Sequence, residues 1–304
     1  MRLYGADAAS WQIAVLSALP WELALTVPLL VLSVWRRKRF LAGVALLVLV
    51  FGLIWEGPVL WPISHAPRAS ASGRFRIFDE NVAQDNFDLR GIAAEIRRDH
   101  PAVVTLEELT PPAVASLTAT GVMAGYHWSL VVARPGPNGM GIWSNIPMTG
   151  LAEWNLHPYQ SELEGWLHPA ASPAIRIDVL HVYGPVGGGQ PAEWRRQLAT
   201  LAAHLAAEPR PLVVAGDFNA TEDDSPFRAI LADHLADAAV LAGRGWEMSW
   251  PRDQAWVIPY LRIDHVLVSP QMTVTGYRMG IGHGSDHHPL IVEVALRSAP
   301  NLLK

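Results

Sequence analysis

The sequence predicts an α+β domain, two packed sheets with helices outside, behind a hairpin of two membrane-spanning helices. Three observations predict it. Two long apolar stretches open the chain. Beyond Arg74, many short β-rich runs follow one another with few helices between them. Several of those runs end in a carboxylate, a carboxamide or an imidazole.

The first stretch runs from about Trp11 to Trp35 and the second from Phe40 to about Ile63. Each exceeds the roughly 20 residues that cross a bilayer. Arg36-Arg37-Lys38-Arg39 lies between them and should stay in the cytoplasm, which puts everything after Ser64 outside it. The first stretch has its basic cluster after it, the wrong order for a signal peptide. Trp11, Trp21, Trp35, Trp55 and Trp61 suit interfacial anchors, and Glu22, after Pro20, fits a first span that starts late. Residues 1–64 thus read as a multi-pass cell-membrane segment, 65–73 (HAPRASASG) as a linker, and 74–304 as a folded domain, periplasmic or extracellular.

In that domain Phe75–Phe78 reads as a strand, and Leu89–Arg98 has helical spacing at Leu89, Ile92, Ala93 and Ile96. Ala102–Leu106 is a strand. Trp128–Ala133 and Gly141–Ser144 form a hairpin around Pro135-Gly136-Pro137-Asn138-Gly139. Ala174–Val182 is a strand, Gly187-Gly188-Gly189 a loop, and Ala192–Ala207 a helix with Trp194, Leu198, Leu201 and Leu205 on one side. Val213-Val214-Ala215-Gly216-Asp217-Phe218-Asn219 starts as a buried strand, and a short helix follows near Pro226–Leu231. Arg262–Ser269, Met272–Tyr277 and Leu290–Leu296 are the last strands.

Composition sets outer bounds. With no cysteine, disulfides, thiolate zinc sites and a cysteine nucleophile are excluded. The net charge is −5 and the excess of acid lies after Arg74, so the domain has no electrostatic footprint for gripping a long duplex.

The chemistry-bearing residues sit at strand ends. Asp217 and Asn219 are two apart, so both face one cleft if the strand persists, and Gly216 permits close approach. Oxygen ligands beside an amide donor suit a hard cation or a phosphate ester. Asn81 follows the first strand, and Glu107-Glu108 ends another. His181 sits inside a strand. Asp264 interrupts an apolar run and needs a partner, such as a histidine, because an unpaired buried carboxylate is costly. Gly284-Ser285-Asp286-His287-His288-Pro289 places an acid beside two histidines, which suits acid–base chemistry or metal binding.

In order, Asn81-Val82, Leu106-Glu107-Glu108-Leu109, His181, Gly216-Asp217-Phe218-Asn219, Ile263-Asp264-His265 and Ser285-Asp286-His287-His288-Pro289 resemble the endonuclease/exonuclease/phosphatase superfamily of metal-dependent phosphoesterases. The resemblance spans about Arg74 to Leu296. It implies a four-layer α/β/β/α sandwich of two mixed sheets. It also implies a Mg²⁺ cofactor, with Mn²⁺ as an alternative, held by Glu108 with Asn81 and Asp286. Asp217 would then orient or deprotonate the attacking water and Asn219 would hydrogen-bond the phosphoryl oxygen. His287 would stabilise or protonate the phosphate, with Asp264 fixing its tautomer, and His181 would be a second catalytic histidine. Glu107 takes the place of a glutamine in the family's pair. Ala83 stands where some members carry an acid, so that second-metal role is absent.

Substrate is left open among a lipid head group, a nucleotide and a nucleic acid. The segment Gly245–Trp256 is expected to rim the cleft. The partners implied are a phosphoester substrate and the lipid bilayer, and no protein partner. A nuclease acting outside the cytoplasm and a non-catalytic anchored binding module are the alternatives.

Overall fold

The computed structural model describes residues 9–60, 73–157, 160–185, 190–208, 211–232, 234–252 and 257–298. The linker up to Ser72, Trp61, Trp256 and Gly187–Gly189 lie outside them. Two six-stranded sheets pack face to face with helices outside, the α/β/β/α sandwich expected. In the first sheet the order is β11 (Met272–Met279), β12 (Leu290–Leu296), β1 (Phe75–Asn81), β2 (Val103–Glu107), β4 (Met140–Ser144) and β3 (Trp128–Val132). In the second it is β5 (Met148–His157), β6 (Gln160–Leu167), β7 (Ile175–His181), β8 (Leu212–Asp217), β10 (Asp264–Val268) and β9 (Ala236–Asp237). The β1–β2 and β7–β8 pairs are parallel and sit in mid-sheet. Both sheets are therefore mixed.

The two-residue period of a strand sets the layers. Ile77, Val103, Ile177, Val213, Ala215, Val266 and Val292 point inward and fill the space between the sheets. Phe78, Val104, Leu106 and Ile291 point outward, under α4 (Arg90–Asp99) and α5 (Pro111–Ala119). Leu180, Leu212, Val214 and Leu267 point outward on the other side, under α6 (Pro191–Ala207) and α7 (Ser225–Ala232). Trp194 and Phe227 are fully enclosed there. Burying one such side chain stabilises the fold by roughly 1.5–3 kcal/mol.

Gly216 is required where β7 and β8 meet. Its φ is +136°, and a Cβ there would lie 2.0 Å from the Leu180 carbonyl oxygen. β5, β6 and α5 were not read as elements from the sequence. β5 and β6 carry charged residues and irregular register, which obscure their alternation.

The first apolar stretch differs from expectation. It breaks at Ala18 into α1 (Ser10–Ser17) and α2 (Leu19–Trp35), bent by 62°. The second forms α3 (Arg39–Leu60), of which Arg39–Gly57 is long and apolar enough to cross a membrane. α2 and α3 pack side by side, with Leu23 seated where a Cβ on Gly52 would stand. Leu25, Leu29 and Val31 on α2 and Phe40, Leu47 and Ile54 on α3 remain exposed. α1 instead packs on the sandwich, with Ile13 in the Trp194 and Phe218 cluster.

Candidate active site

The inward alternation that builds the core also builds the site. Following Phe75 and Ile77, Asp79 and Asn81 face inward on β1. Following Val103, Thr105 and Glu107 do so on β2. On β7, His181 follows Val179. On β8, Asp217 follows Val213 and Ala215, and on β10 Asp264 precedes Val266 and Val268. Asp264 pairs directly with Asp217 across the antiparallel register. Strand ends from both sheets thus deliver one polar layer between them.

Asn81 clamps two acids. Its Nδ2 donates to Asp217 Oδ2 at 3.0 Å and to Glu108 Oε1 at 3.2 Å, while its Oδ1 accepts from the Ala83 amide at 3.0 Å. Glu108 leaves β2 with a φ of +55°, which turns its carboxylate toward the cleft, where the Gln84 amide donates to it at 2.8 Å. Asn219, also left-handed (φ 47°), donates its backbone amide to Asp217 Oδ1 at 2.8 Å. Its Nδ2 donates to the Val182 carbonyl at 2.9 Å and to Asp217 Oδ2 at 3.2 Å. His181 Nδ1 donates to the Pro137 carbonyl at 3.0 Å, so a hydrogen sits on Nδ1 and Nε2 faces Asp217 at 3.6 Å and Glu108 at 3.8 Å. The predicted turn before β4 is what reaches across to fix that tautomer.

His287 and Asp264 form a buried pair, with Nδ1 2.9 Å and 3.0 Å from the two carboxylate oxygens. Burial is the largest influence on His287 and lowers its pKa, but the charge and hydrogen bond of Asp264, with the charges of Asp217 and Asp286, together outweigh it and raise the group from 6.5 to about 10. Burial likewise opposes ionisation of Asp264, and His287 with the Ser249 hydrogen bond and His265 together hold the carboxyl below its usual range. Nε2 of His287 is left facing Asp286 at 3.8 Å and Asp217 at 3.9 Å. Burial, with the Asp264 charge adding to it, lifts Asp217 to about 6.

All eight residues singled out from the sequence come together here. The Asp286 side chain is 45% exposed. Trp250 Nε1 donates to it at 2.9 Å. Two histidines of the motifs do not join. His265 lies on the outer side of β10 between Asp237 and the Ala220 carbonyl, and His288 Nδ1 bonds the Gly280 carbonyl at 2.9 Å.

Ser285 and Glu107 stand in the motifs read from the sequence, whereas Asp79, Thr105 and Ser249 were not singled out there. Ser285 Oγ donates to the Asn81 carbonyl at 2.6 Å and accepts from the His287 amide at 3.0 Å. Ser249 Oγ accepts from the Asp264 amide at 3.3 Å. Asp79, bonded by Thr105 Oγ1 at 2.6 Å, and Glu107 lie behind the site, and burial raises both, Asp79 to about 8.

Two hollows meet at Glu108, Asp286 and His287. One, of about 600 Å³, is polar and includes Gln84 and Asp85. The other, of about 460 Å³, extends past His181, Asp217 and Asn219 to Trp250 and Tyr260. The donor set fits a hard divalent cation. The Glu108 carboxylate lies where both hollows open, and Asp217, Asp264 and Asp286 add negative charge around it. Asp217, Asp264 and His287 also place ligand-type atoms within 4.8 Å of one another. His287 Nδ1 is already committed to Asp264, however, so this trio is a carboxylate–imidazole pair beside a carboxylate rather than a cage.

The model of the Endonuclease/Exonuclease/phosphatase family matches residues 54–287. The chain belongs to this family. Solved structures of members share the family fold. A humanized TDP2 from D. rerio superposes with a TM-score of 0.60 at 18% identity, covering 73% of this chain and 98% of that one. The human Nocturnin catalytic domain, with bound sulfate, gives 0.59 at 17% identity over 73% and 94% of the two chains. A family protein from Beutenbergia cavernae gives 0.55 at 20% identity over 75% and 73%. A search of curated proteins finds no match to the sequence.

Proposed function

We propose that the chain is a membrane-anchored, Mg²⁺-dependent phosphoesterase, with Mn²⁺ as an alternative ion, that hydrolyses a phosphodiester by in-line attack of water. The observation that carries this is the single pit in which Glu108, Asp217, Asn219, His181 and the His287–Asp264 pair converge from both sheets. Glu108, with Asn81 and Asp286 beside it, would hold the ion, which when bound neutralises charge on the phosphoryl oxygens.

The residues of the chain divide the remaining work. Asp217, with a pKa near neutrality, accepts a hydrogen bond from the attacking water and takes its proton. The Asn219 amide, fixed by Val182, offers its second hydrogen to a phosphoryl oxygen in place of Asp217. Imidazolium His287 presents Nε2–H to the phosphate and can pass that proton to the leaving oxygen. Asp264 keeps the ring charged and oriented. His181, its Nδ1–H held by the Pro137 carbonyl, turns Nε2 into the same pit as a second imidazole, an acceptor for the attacking water.

The anchor reading rests on the apolar exposed surfaces of α2 and α3 and on the basic cluster Arg36–Arg39 between them. By the positive-inside rule it places the catalytic domain outside the cytoplasm. Reporter fusions before Arg36 and after Ser64 test this, and a cytoplasmic signal from the second overturns it. Nuclease activity is the second reading, favoured by a neighbour, D. rerio TDP2, solved with a single-strand DNA product. The surplus of acid in the domain weighs against it.

The test is a panel of a phospholipid, a dinucleotide, single-stranded DNA and bis(4-nitrophenyl) phosphate, offered to the full chain in lipid nanodiscs. Hydrolysis that needs Mg²⁺, stops with chelator and is lost in Asp217→Ala and His287→Ala is expected. Full activity in both variants would reject the assignments.

A further inference from the structure

The 460 Å³ hollow is not lined by the sandwich alone, because Ile13, Ala14 and Ser17 of α1 contribute to its wall. That helix is fastened at both ends. Ser10 Oγ donates to the Pro185 carbonyl at 3.1 Å, Ser17 Oγ to Asp224 at 3.2 Å, and Trp21 Nε1 to the Tyr260 carbonyl at 2.7 Å. Trp246, from the segment expected to rim the cleft, meets Trp21 edge-on at 6.0 Å. Ile13 and Leu16 are 2% and 4% exposed, whereas Ala14 is exposed and faces the hollow.

The lining of the hollow combines two chemistries. Glu108, Asp217, Asn219 and His287 contribute to it. So do Ile13, Ala14, Tyr183, Tyr260 and Leu261, the first two on a helix that leads directly into α2, with Leu25 and Leu29 exposed. The polar hollow beyond Glu108 adds Asp85, whose charge repels a further phosphate. Resting on the phosphoesterase reading for the polar side, we propose that α1 is a wall of the substrate site and that the substrate is a phosphoester whose group beside the phosphate is apolar. A membrane lipid and a soluble alkyl or aryl ester share that chemistry.

The test uses the full chain in nanodiscs and follows phosphonate binding by tryptophan fluorescence, since Trp250 lines the hollow. Three extra methylenes, each worth up to about 0.8 kcal/mol when buried, distinguish butylphosphonate from methylphosphonate. Butylphosphonate is expected to bind at least about tenfold more tightly. Ala14→Asn and Ala14→Gln, which turn that wall polar without adding charge, should each cut the preference to less than about threefold. Equal affinities, no binding, a preference that survives both variants, or tighter binding of a dinucleotide than of butylphosphonate would overturn the proposal. A preference that persists without hydrolysis of any phosphoester refutes the catalytic reading and upholds the pocket assignment. Cleavage of phospholipid in the disc assigns the source to the bilayer. Cleavage of bis(4-nitrophenyl) phosphate alone assigns it to solution.

Discussion

Replacing Asp264 by Asn removes the charge that keeps His287 protonated while preserving the shape of the pair. A rise from 6.5 to about 10 is equivalent, at about 1.4 kcal/mol per unit, to roughly 5 kcal/mol in favour of the imidazolium. Without the Asp264 charge, burial is the largest remaining influence on His287 and drives its pKa down. The Asn carbonyl still accepts from Nδ1, so the neutral ring carries its hydrogen there and Nε2 becomes an acceptor. A phosphate oxygen then meets a lone pair where it needs a proton. Near pH 7.5 the loss should reach about 10²-fold or more, the range of general acid catalysis. The stability cost should be smaller, about 1–3 kcal/mol, because the imidazole can discharge rather than stay charged and unpaired. The wild-type contribution has a defined window. The His287 pKa is raised on folding, so its stabilisation is complete below 6.5 and is lost as pH rises through about 10. The assay is the pH dependence of bis(4-nitrophenyl) phosphate hydrolysis, with imidazole ¹⁵N shifts reporting the charge state. Activity of Asp264→Asn within threefold of wild type near neutrality, with the alkaline limb unmoved, would refute the reasoning.

Three other perturbations probe separate parts of the account. Glu108→Gln should weaken Mn²⁺ binding by more than about tenfold in calorimetric titration, since a neutral amide replaces the carboxylate at the mouth of both hollows. Gly216→Ala should cost roughly 2–4 kcal/mol, because a Cβ would strike the Leu180 carbonyl oxygen and strain a φ of +136°. Its unfolding midpoint should fall, and an unchanged midpoint contradicts the packing described. Between β6, β7 and α6, Glu162 and Asp178 are buried beside Arg176 and His204, and burial raises Asp178 to about 7 and Glu162 well above its usual value. These acids keep protons on folding that the unfolded chain has already released. Stability should therefore fall as pH rises from the ordinary carboxylate range through about 7, and Glu162→Gln should flatten that slope in melting curves.

The sandwich was legible because its inner strands alternate cleanly and its helices α4 and α6 carry regular apolar stripes. The active-site residues were legible as polar interruptions at the ends of apolar runs, and the family resemblance put them in one place. The same alternation extended inward by two residues would also have found Asp79 and Thr105 behind Asn81 and Glu107. β6 was hidden by Glu162 and Glu164, which face the ion network around Arg176 and His204 instead of solvent, and β5 by its irregular register. His265 looked equivalent to Asp264 in the sequence, but one step along a strand turns a side chain to the opposite face. The role of α1 had no local signal at all. Its apolar character suits a bilayer and a protein surface equally, and only the break at Ala18 sends it to the sandwich.

The most direct measurement is the anomalous scattering of Mn²⁺ in crystals of the full chain grown with phosphate. The account predicts one strong peak within coordination distance of the Glu108 carboxylate, with a phosphate oxygen beside it and His287 Nε2 on the same phosphate. A peak that displaces His287 from Asp264, or that lies away from Glu108, Asp217 and His287 altogether, would contradict it.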